Sequence, residues 1–428
     1  MINLLQDSPK VLISDFRKVS SQTIWQIISK VATSLSTFII LGLVSRTFGQ
    51  TGTGAFTLAL TYLGFFYLAT DLGLNAFFLP RLSINKEELN SLFNARLIMS
   101  FALILLANIG TFFLPFADNN FKLLVLIGSL TITFNSLLSS FNLIFQNQLK
   151  YEYSMAATSL GAFFNVVVVA FLCTIHTPLY LLALGTLFST LVTAITSYSL
   201  VSSFYKFSFN FSQSNFIINT LKSAWPMMLT LGLNTVYFRV DTFILSSHYS
   251  MAVVGTYNLA YQIFQSMLVV PTFIMNSFYP ILIADQRTRV GLFVRKVLFS
   301  SIVLLSISII ALVLTWIFSP LIIKLITGSD FGGSSVALNI LSLGLPAFFV
   351  TSLLMMVLII FGKYKPLAAV YAVGLLVNVI LNLVWIPQFS FIAASWVTVV
   401  SEYLILILQL LIVLPLLREQ NQIEENNI

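Results

Sequence analysis

The feature that constrains this chain most is a succession of apolar runs, each long enough to cross a bilayer, parted by short breaks that hold nearly all of its charge. The runs fall at about 21–45, 53–79, 89–114, 120–146, 153–175, 178–203, 219–246, 253–283, 291–319, 335–360, 366–386 and 391–416. A spanning helix needs roughly 20 predominantly apolar residues, so 428 residues divide into about twelve spans with no room for a separate soluble domain. Backbone polar groups inside lipid must be satisfied within the segment, which makes such runs helices. The expected fold class is therefore all-α and integral to a membrane. Composition agrees: 8% of the residues are charged, against about 25% in a soluble protein.

Several function classes drop out. The single cysteine, Cys173, excludes an intramolecular disulfide and a cysteine-rich metal site. The two histidines, His176 and His248, fall near predicted loops, and no HExxH, P-loop or GxSxG pattern appears. Residues 1–20 are mixed polar, with no apolar core and cleavage site of a signal peptide. Leu12, Phe16 and Val19 share one helical face, which fits a short helix lying on the membrane surface; a disordered tail fits as well.

An even number of spans puts both termini on one side, and basic residues say which. The loops on that side hold, among others, Lys18, Arg81, Lys150, Arg287, Arg295 and Lys363, whereas the opposite set holds only Arg46, Lys122 and Lys324. Lys and Arg accumulate in cytoplasmic loops, so both termini are expected in the cytoplasm. The net charge of +7 is thereby a matter of topology and not a nucleic-acid patch.

The second and eighth spans begin alike. Gly54-Ala55-Phe56-Thr57-Leu58-Ala59 lines up with Gly255-Thr256-Tyr257-Asn258-Leu259-Ala260, an offset of 255 − 54 = 201. The same offset sets Ser45 on Ser246 and Phe48 on Tyr249 without a gap. Six spans separate the copies, so they run in the same direction and form parallel repeats about an axis normal to the membrane. The expectation is two six-helix lobes around a central cavity: an N-terminal segment 1–20, an N-lobe 21–203, a linker 204–218, a C-lobe 219–416 and a cytoplasmic tail 417–428.

Lys30, Asp71, Arg239, Asp241 and Glu402 are ionisable residues inside predicted spans. Each costs about 2.5–3.5 kcal/mol at a helix centre if it faces lipid, so they are expected to face one another or water. Lys30 lies twelve residues after Lys18, and Asp71 ten before Arg81, on neighbouring antiparallel spans. Their similar depths suggest an ion pair, with either a functional role or a plain helix-fastening one. Arg239 and Asp241 point about 200° apart on one helix and do not face each other. Glu402 lies near midplane, where a hydrogen-bonded carboxyl within the second lobe is the simpler reading; Asn378 and Asn382, one turn apart, suit the same helix pair. Pro226, Pro271, Pro346 and Pro366, with Gly232, Gly344 and Gly374 nearby, predict kinks.

Four stretches carry a family resemblance. They are Asp71-Leu72-Gly73-Leu74 with Arg81 after it, Ser223-Ala224-Trp225-Pro226, Arg239-Val240-Asp241 followed by Gly255-Thr256-Tyr257, and Ala393-Ala394 through Ser401-Glu402 preceded by Asn378, Asn382 and Pro387. In these, and over nearly its whole length, the chain resembles the polysaccharide-unit flippases (Wzx type) of the multidrug/oligosaccharidyl-lipid/polysaccharide exporter superfamily. Phe391 departs from the pattern, since many members carry glycine there, which puts the turn into the last helix in doubt.

The resemblance implies a MATE-like fold and a function. Such proteins move oligosaccharide repeat units on undecaprenyl pyrophosphate, O-antigen units first among them, to the outer leaflet of the bacterial inner membrane. Lys30, Arg239 and Arg96 would receive the diphosphate and sugar, and Asp71, Asp241 and Glu402 would serve in coupling or charge pairing. No cofactor is implied. With no ATP motif, the drive would come from H+ or Na+ coupling or from removal of the product. The expected partners are the lipid-linked oligosaccharide, membrane lipid and polysaccharide assembly proteins, with no nucleic acid, and a monomer suffices. The rivals are a MATE-type multidrug cation antiporter and a peptidoglycan-precursor flippase, whose members often carry more than twelve helices. A membrane polymerase or glycosyltransferase would need larger outer loops than these.

Overall fold

The computed structural model describes residues 9–71, 74–75, 86–148, 150–203, 205, 236–288, 290–329, 331 and 333–425. All regular structure among them is helical. The first half holds α1 (Pro9–Asp71), α2 (Lys86–Gly110), α3 (Asn119–Ser129), α4 (Thr131–Asn147), α5 (Tyr151–Thr174) and α6 (Ala183–Val201). The second half holds α7 (Val240–His248), α8 (Met251–Met267), α9 (Val269–Thr288), α10 (Val290–Thr327), α11 (Ser334–Ser342), α12 (Leu345–Ile360) and α13 (Tyr364–Glu425).

Seven helical stretches are long and apolar enough to cross a membrane, and the pair α11–α12, bent by 44° at its break, makes an eighth. Two are far longer than one crossing requires: Ile28–Asp71 has 44 residues and Tyr364–Gln420 has 57, against roughly 20 for a single span. Each breaks at one residue of positive φ, Gly49 (65°) in α1 and Ser390 (57°) in α13. These breaks fall where the sequence parts its first two and last two apolar runs. Glycine adopts that conformation without a Cβ penalty; serine does not, and the α13 break is the costlier of the two. Pro346 occupies the first turn of α12, where its missing N–H is not needed.

Side chains along these helices are apolar on the outside as well as within. Phe113 is 81% exposed, and Phe101, Leu105, Ile302, Ile310 and Leu411 are also largely exposed. So large and continuous an apolar exterior suits hydrocarbon and not water. The chain is a multi-pass membrane protein.

Two compact units emerge. The first comprises residues 1–43 and 59–231, the second residues 44–58 and 232–428. One stretch of the first apolar runs, Val44–Leu58, groups with the second unit. Two contacts hold it there. The Arg46 guanidinium donates to the carbonyls of Leu325 (2.6 Å) and Ile326 (3.2 Å) near the end of α10, where helix carbonyls lack partners. Gly54 also packs directly on α8, as detailed below.

Within the first unit, Phe93, Phe141, Ile144, Phe145, Val201 and Tyr205 form a buried cluster joining α2, α4 and α6. Within the second, Tyr237, Val370 and Ile405 form another. Residues 9–20 continue into α1 and form no separate surface helix. The linker at 204–218 lies outside the described residues except Tyr205, and the Ser223–Pro226 motif, Gly232 and Arg81 lie outside them as well.

Candidate functional site

Arg96 is the centre of the polar site in the first unit. It is 1% exposed, and its Nη2 donates to Asp71 Oδ1 at 2.6 Å and to Asn75 Oδ1 at 3.0 Å. Its backbone carbonyl accepts from the Ser136 hydroxyl at 2.8 Å, which pins α2 to α4. The expected partnership of Lys30 with Asp71 is therefore corrected: Asp71 belongs to Arg96. The reason is depth. Arg96 lies ten residues into α2 from Lys86, about 15 Å along the helix, far from the end where its charge could be solvated. A guanidinium this deep requires a carboxylate and further acceptors, and Asp71 with Asn75 supplies them.

Lys30 stands apart. Its side chain is exposed on the first stretch of α1, with no ion-pair partner among the described residues.

In the second unit Asp241, 3% exposed, anchors a chain of hydrogen bonds. It accepts from the Tyr257 hydroxyl and, at 2.6 Å, from the backbone N–H of Thr242. The Thr242 hydroxyl donates to Asn258 Oδ1 at 3.1 Å, and Asn258 Nδ2 donates to the Thr57 hydroxyl at 3.0 Å. Arg239, two residues earlier, turns to the other end of α8: its Nη2 donates to Gln265 Oε1 at 3.0 Å and its guanidinium lies 5.5 Å from the Tyr261 ring centroid. The two residues point apart, as their spacing implies.

Glu402 is likewise 3% exposed. Its Oε1 accepts from the Thr351 hydroxyl at 2.6 Å and its Oε2 from the Tyr237 hydroxyl at 3.1 Å. One residue before it, Ser401 accepts from Asn378 Nδ2 at 3.2 Å, and Asn378 accepts from Asn382 at 2.9 Å. The carboxyl is thus held by hydroxyl donors inside its own unit, in keeping with the simpler reading of this residue.

Sequence reasoning missed Asn75, Tyr257, Thr351 and Tyr237 as partners. The last three are hydroxyl side chains in apolar runs, a weak signal taken singly. Asn75 lies one turn after Asp71 on the same face, which was readable.

The comparisons with known proteins fit this architecture. The family model described as "Polysaccharide biosynthesis protein" matches residues 19–286, and that of MatE matches residues 226–384. No curated protein sequence matches the chain. Among solved structures it resembles a lipid II flippase, MurJ, in an inward closed conformation (TM-score 0.75, 17% identity, 92% of this chain and 87% of that one). It also resembles an inward-facing multidrug resistance MATE family transporter of the MOP superfamily (TM-score 0.73, 15% identity, 94% and 99%). A third is a MOP superfamily transporter from Pyrococcus furiosus whose binding pocket is described as of reverse polarity (TM-score 0.61, 15% identity, 98% of each chain). The fold is that of these transporters. With its matched segment covering more than half of the sequence, the chain belongs to the polysaccharide biosynthesis protein family.

Proposed function

We propose that this chain flips undecaprenyl-pyrophosphate-linked oligosaccharide units, O-antigen units first among them, from the inner to the outer leaflet of the bacterial inner membrane by alternating access. Both termini lie in the cytoplasm in this reading, a monomer suffices, and H+ or Na+ coupling is the candidate drive.

The observation that carries the proposal is the state of the charges. Asp71 is paired with Arg96, while Asp241 and Glu402 are buried and held by hydroxyl and amide donors. None of the three is presented to an incoming organic cation. Lys30, by contrast, is exposed. An exposed ammonium, in a chain whose described deep carboxylates are internally satisfied, favours an anionic substrate such as a diphosphate. Arg239, partly exposed and held by one neutral amide, is the second candidate for that role. Arg96 is too enclosed by Asp71 and Asn75 to share it in this conformation. The family membership and the likeness to a lipid II flippase support a lipid-linked substrate. The MatE match favours a second reading, drug export.

Deleting the gene in its bacterial host and labelling lipid-linked oligosaccharide in each leaflet separates the two. The expected result is accumulation on the cytoplasmic face, relieved by the wild-type gene. Normal surface polysaccharide combined with new sensitivity to cationic drugs would overturn the proposal in favour of the exporter.

A further inference from the structure

A cavity of about 380 Å³ lies inside the first unit, walled by the first stretch of α1 and by α4, α5 and α6. That volume is typical of a small-molecule site. Its lining includes Thr33, Thr37, Asn135, Thr158, Asn165 and Thr190, and none of the side chains that line it is ionisable. Gly161, beside the lining residue Ala162, brings two of the walls together. Its missing side chain lets α6 approach until Ser189 donates to the Gly161 carbonyl at 2.8 Å.

The direction of the hydrogen bonds around the cavity decides what it can hold. Thr33, Thr37, Thr158 and Thr190 each donate to a carbonyl one turn earlier in their own helix, at 2.7–3.0 Å. Asn135 likewise donates to Thr131 at 3.0 Å. A hydroxyl whose hydrogen is engaged keeps its lone pairs, so these groups face the cavity as acceptors. Asn165 Oδ1 is buried without any partner. The wall therefore asks for donors.

A phosphate or carboxylate brings only acceptors, and in this lining it would meet no cation and no donors beyond a few side-chain amides and the Ser139 hydroxyl. An organic cation would lose its hydration with no carboxylate to replace it. A neutral sugar brings a hydroxyl donor at most ring carbons and no net charge. We propose that this cavity is a subsite for an uncharged, hydroxyl-rich sugar residue of the carried glycan.

The subsite rests on the reading of the substrate as a lipid-linked oligosaccharide, and the position of Lys30 fits that reading. Lys30, Thr33 and Thr37 are spaced i, i+3, i+7 along α1 and so share one face, with Lys30 about 10 Å from Thr37 along the axis. A diphosphate at Lys30 would place the first sugar at the cavity.

The test uses the full chain in lipid nanodiscs, with Cys173→Ala removing the native thiol and either Thr190→Cys or Thr158→Cys placed in the cavity. The rate of labelling by a small neutral maleimide is measured with N-acetylglucosamine, glucose, glucuronate or inorganic pyrophosphate present. At a sugar concentration of about twice its Kd, the neutral sugars should slow labelling about threefold. Glucuronate and pyrophosphate should not, and Asn165→Leu should abolish the protection. Failure of every neutral sugar to protect either position, equal protection by pyrophosphate, or a cavity in which neither cysteine reacts would overturn the subsite. The assay needs no transport. Sugar protection in a chain that flips no lipid-linked glycan would leave the subsite standing and remove the flippase reading.

Discussion

Asn258 donates its side-chain amide to the Thr57 hydroxyl at 3.0 Å, and the two residues lie 201 positions apart, the interval that relates the two copies of the internal repeat. The neighbouring contacts are reciprocal. A methyl on Gly54 would overlap the Met251 carbonyl and lie 2.9 Å from Gly255 N; one on Gly255 would overlap the Gln50 carbonyl and lie 2.8 Å from Gly54 N. Gln50 and Met251 are themselves equivalent under the 201-residue offset. Residue i meeting j while the copy of j meets the copy of i is the signature of a two-fold relation. Inside the second unit, then, the Val44–Leu58 stretch and α8 meet across a local two-fold, backbone against backbone.

That contact predicts opposite outcomes for chemically identical substitutions. Gly54→Ala or Gly255→Ala pushes a methyl into a carbonyl that cannot move without its helix, an overpacking that costs about 1–3 kcal/mol. Gly64→Ala, in the same α1 run, meets nothing within 4 Å and exchanges a poor helix former for a good one, a gain of up to about 1 kcal/mol. Thermal unfolding of the detergent-solubilised protein should show a lowered Tm for the first two and an unchanged or raised one for the third. Equal behaviour of all three would contradict the close approach.

Asp71 and Arg96 make the second prediction. Asp71→Asn leaves the buried guanidinium with neutral acceptors only, a change worth on the order of 3–5 kcal/mol for a buried pair. Arg96→Met combined with Asp71→Leu removes both charges and should recover most of the lost stability. Unfolding curves of the single and double variants check this: a double variant no more stable than Asp71→Asn alone would mean that the two residues do not act as a pair.

How far the sequence revealed this architecture depends on what each feature rests on. The breaks between the runs ending at about 45, 175 and 386 and those that follow were legible because polar or turn residues interrupt apolar sequence, and the structure turns at Gly49, His176 and Ser390. The repeat was read from its register, and Gly54 with Gly255 and Thr57 with Asn258 meet at that same 201-residue interval. The partner of Asp71 was not read correctly, because Arg96, ten residues inside α2, was assigned to the substrate and not weighed as a partner for Asp71. Nor was the hydroxyl-lined cavity legible. Ser, Thr and Asn occur throughout the chain, and only the packing of α1, α4, α5 and α6 selects which of them converge.

Glu402 yields a third prediction. Both of its oxygens accept from hydroxyls, Thr351 at 2.6 Å and Tyr237 at 3.1 Å. A hydroxyl can rotate to accept instead of donate, so Glu402→Gln can be accommodated by reversal of one bond. Its stability should fall by no more than about 1–2 kcal/mol, with transport and its pH dependence retained. Glu402→Leu strands both hydroxyls in the interior and should cost more. A Gln variant that folds normally but loses the pH dependence of transport would make Glu402 a coupling residue.

The last prediction concerns Lys30 and Arg239, the cations proposed to meet the substrate. Lys30 is exposed and supports no ion pair among the described residues, so Lys30→Ala should leave the Tm unchanged. If the ammonium binds the diphosphate, its loss removes a charge-assisted interaction of about 1.5–3 kcal/mol, and flipping of lipid-linked oligosaccharide in proteoliposomes should fall about tenfold or more. Lys30→Arg keeps the charge and should retain most activity. Arg239 differs, because its guanidinium both donates to Gln265 and lies over the Tyr261 ring. A lysine reproduces neither geometry, so Arg239→Lys should lose activity along with some stability. Rescue by arginine at position 30 together with failure of lysine at 239 would mark the first as a point-charge contact and the second as a shaped one. Wild-type flipping by Lys30→Ala would remove Lys30 from the diphosphate site.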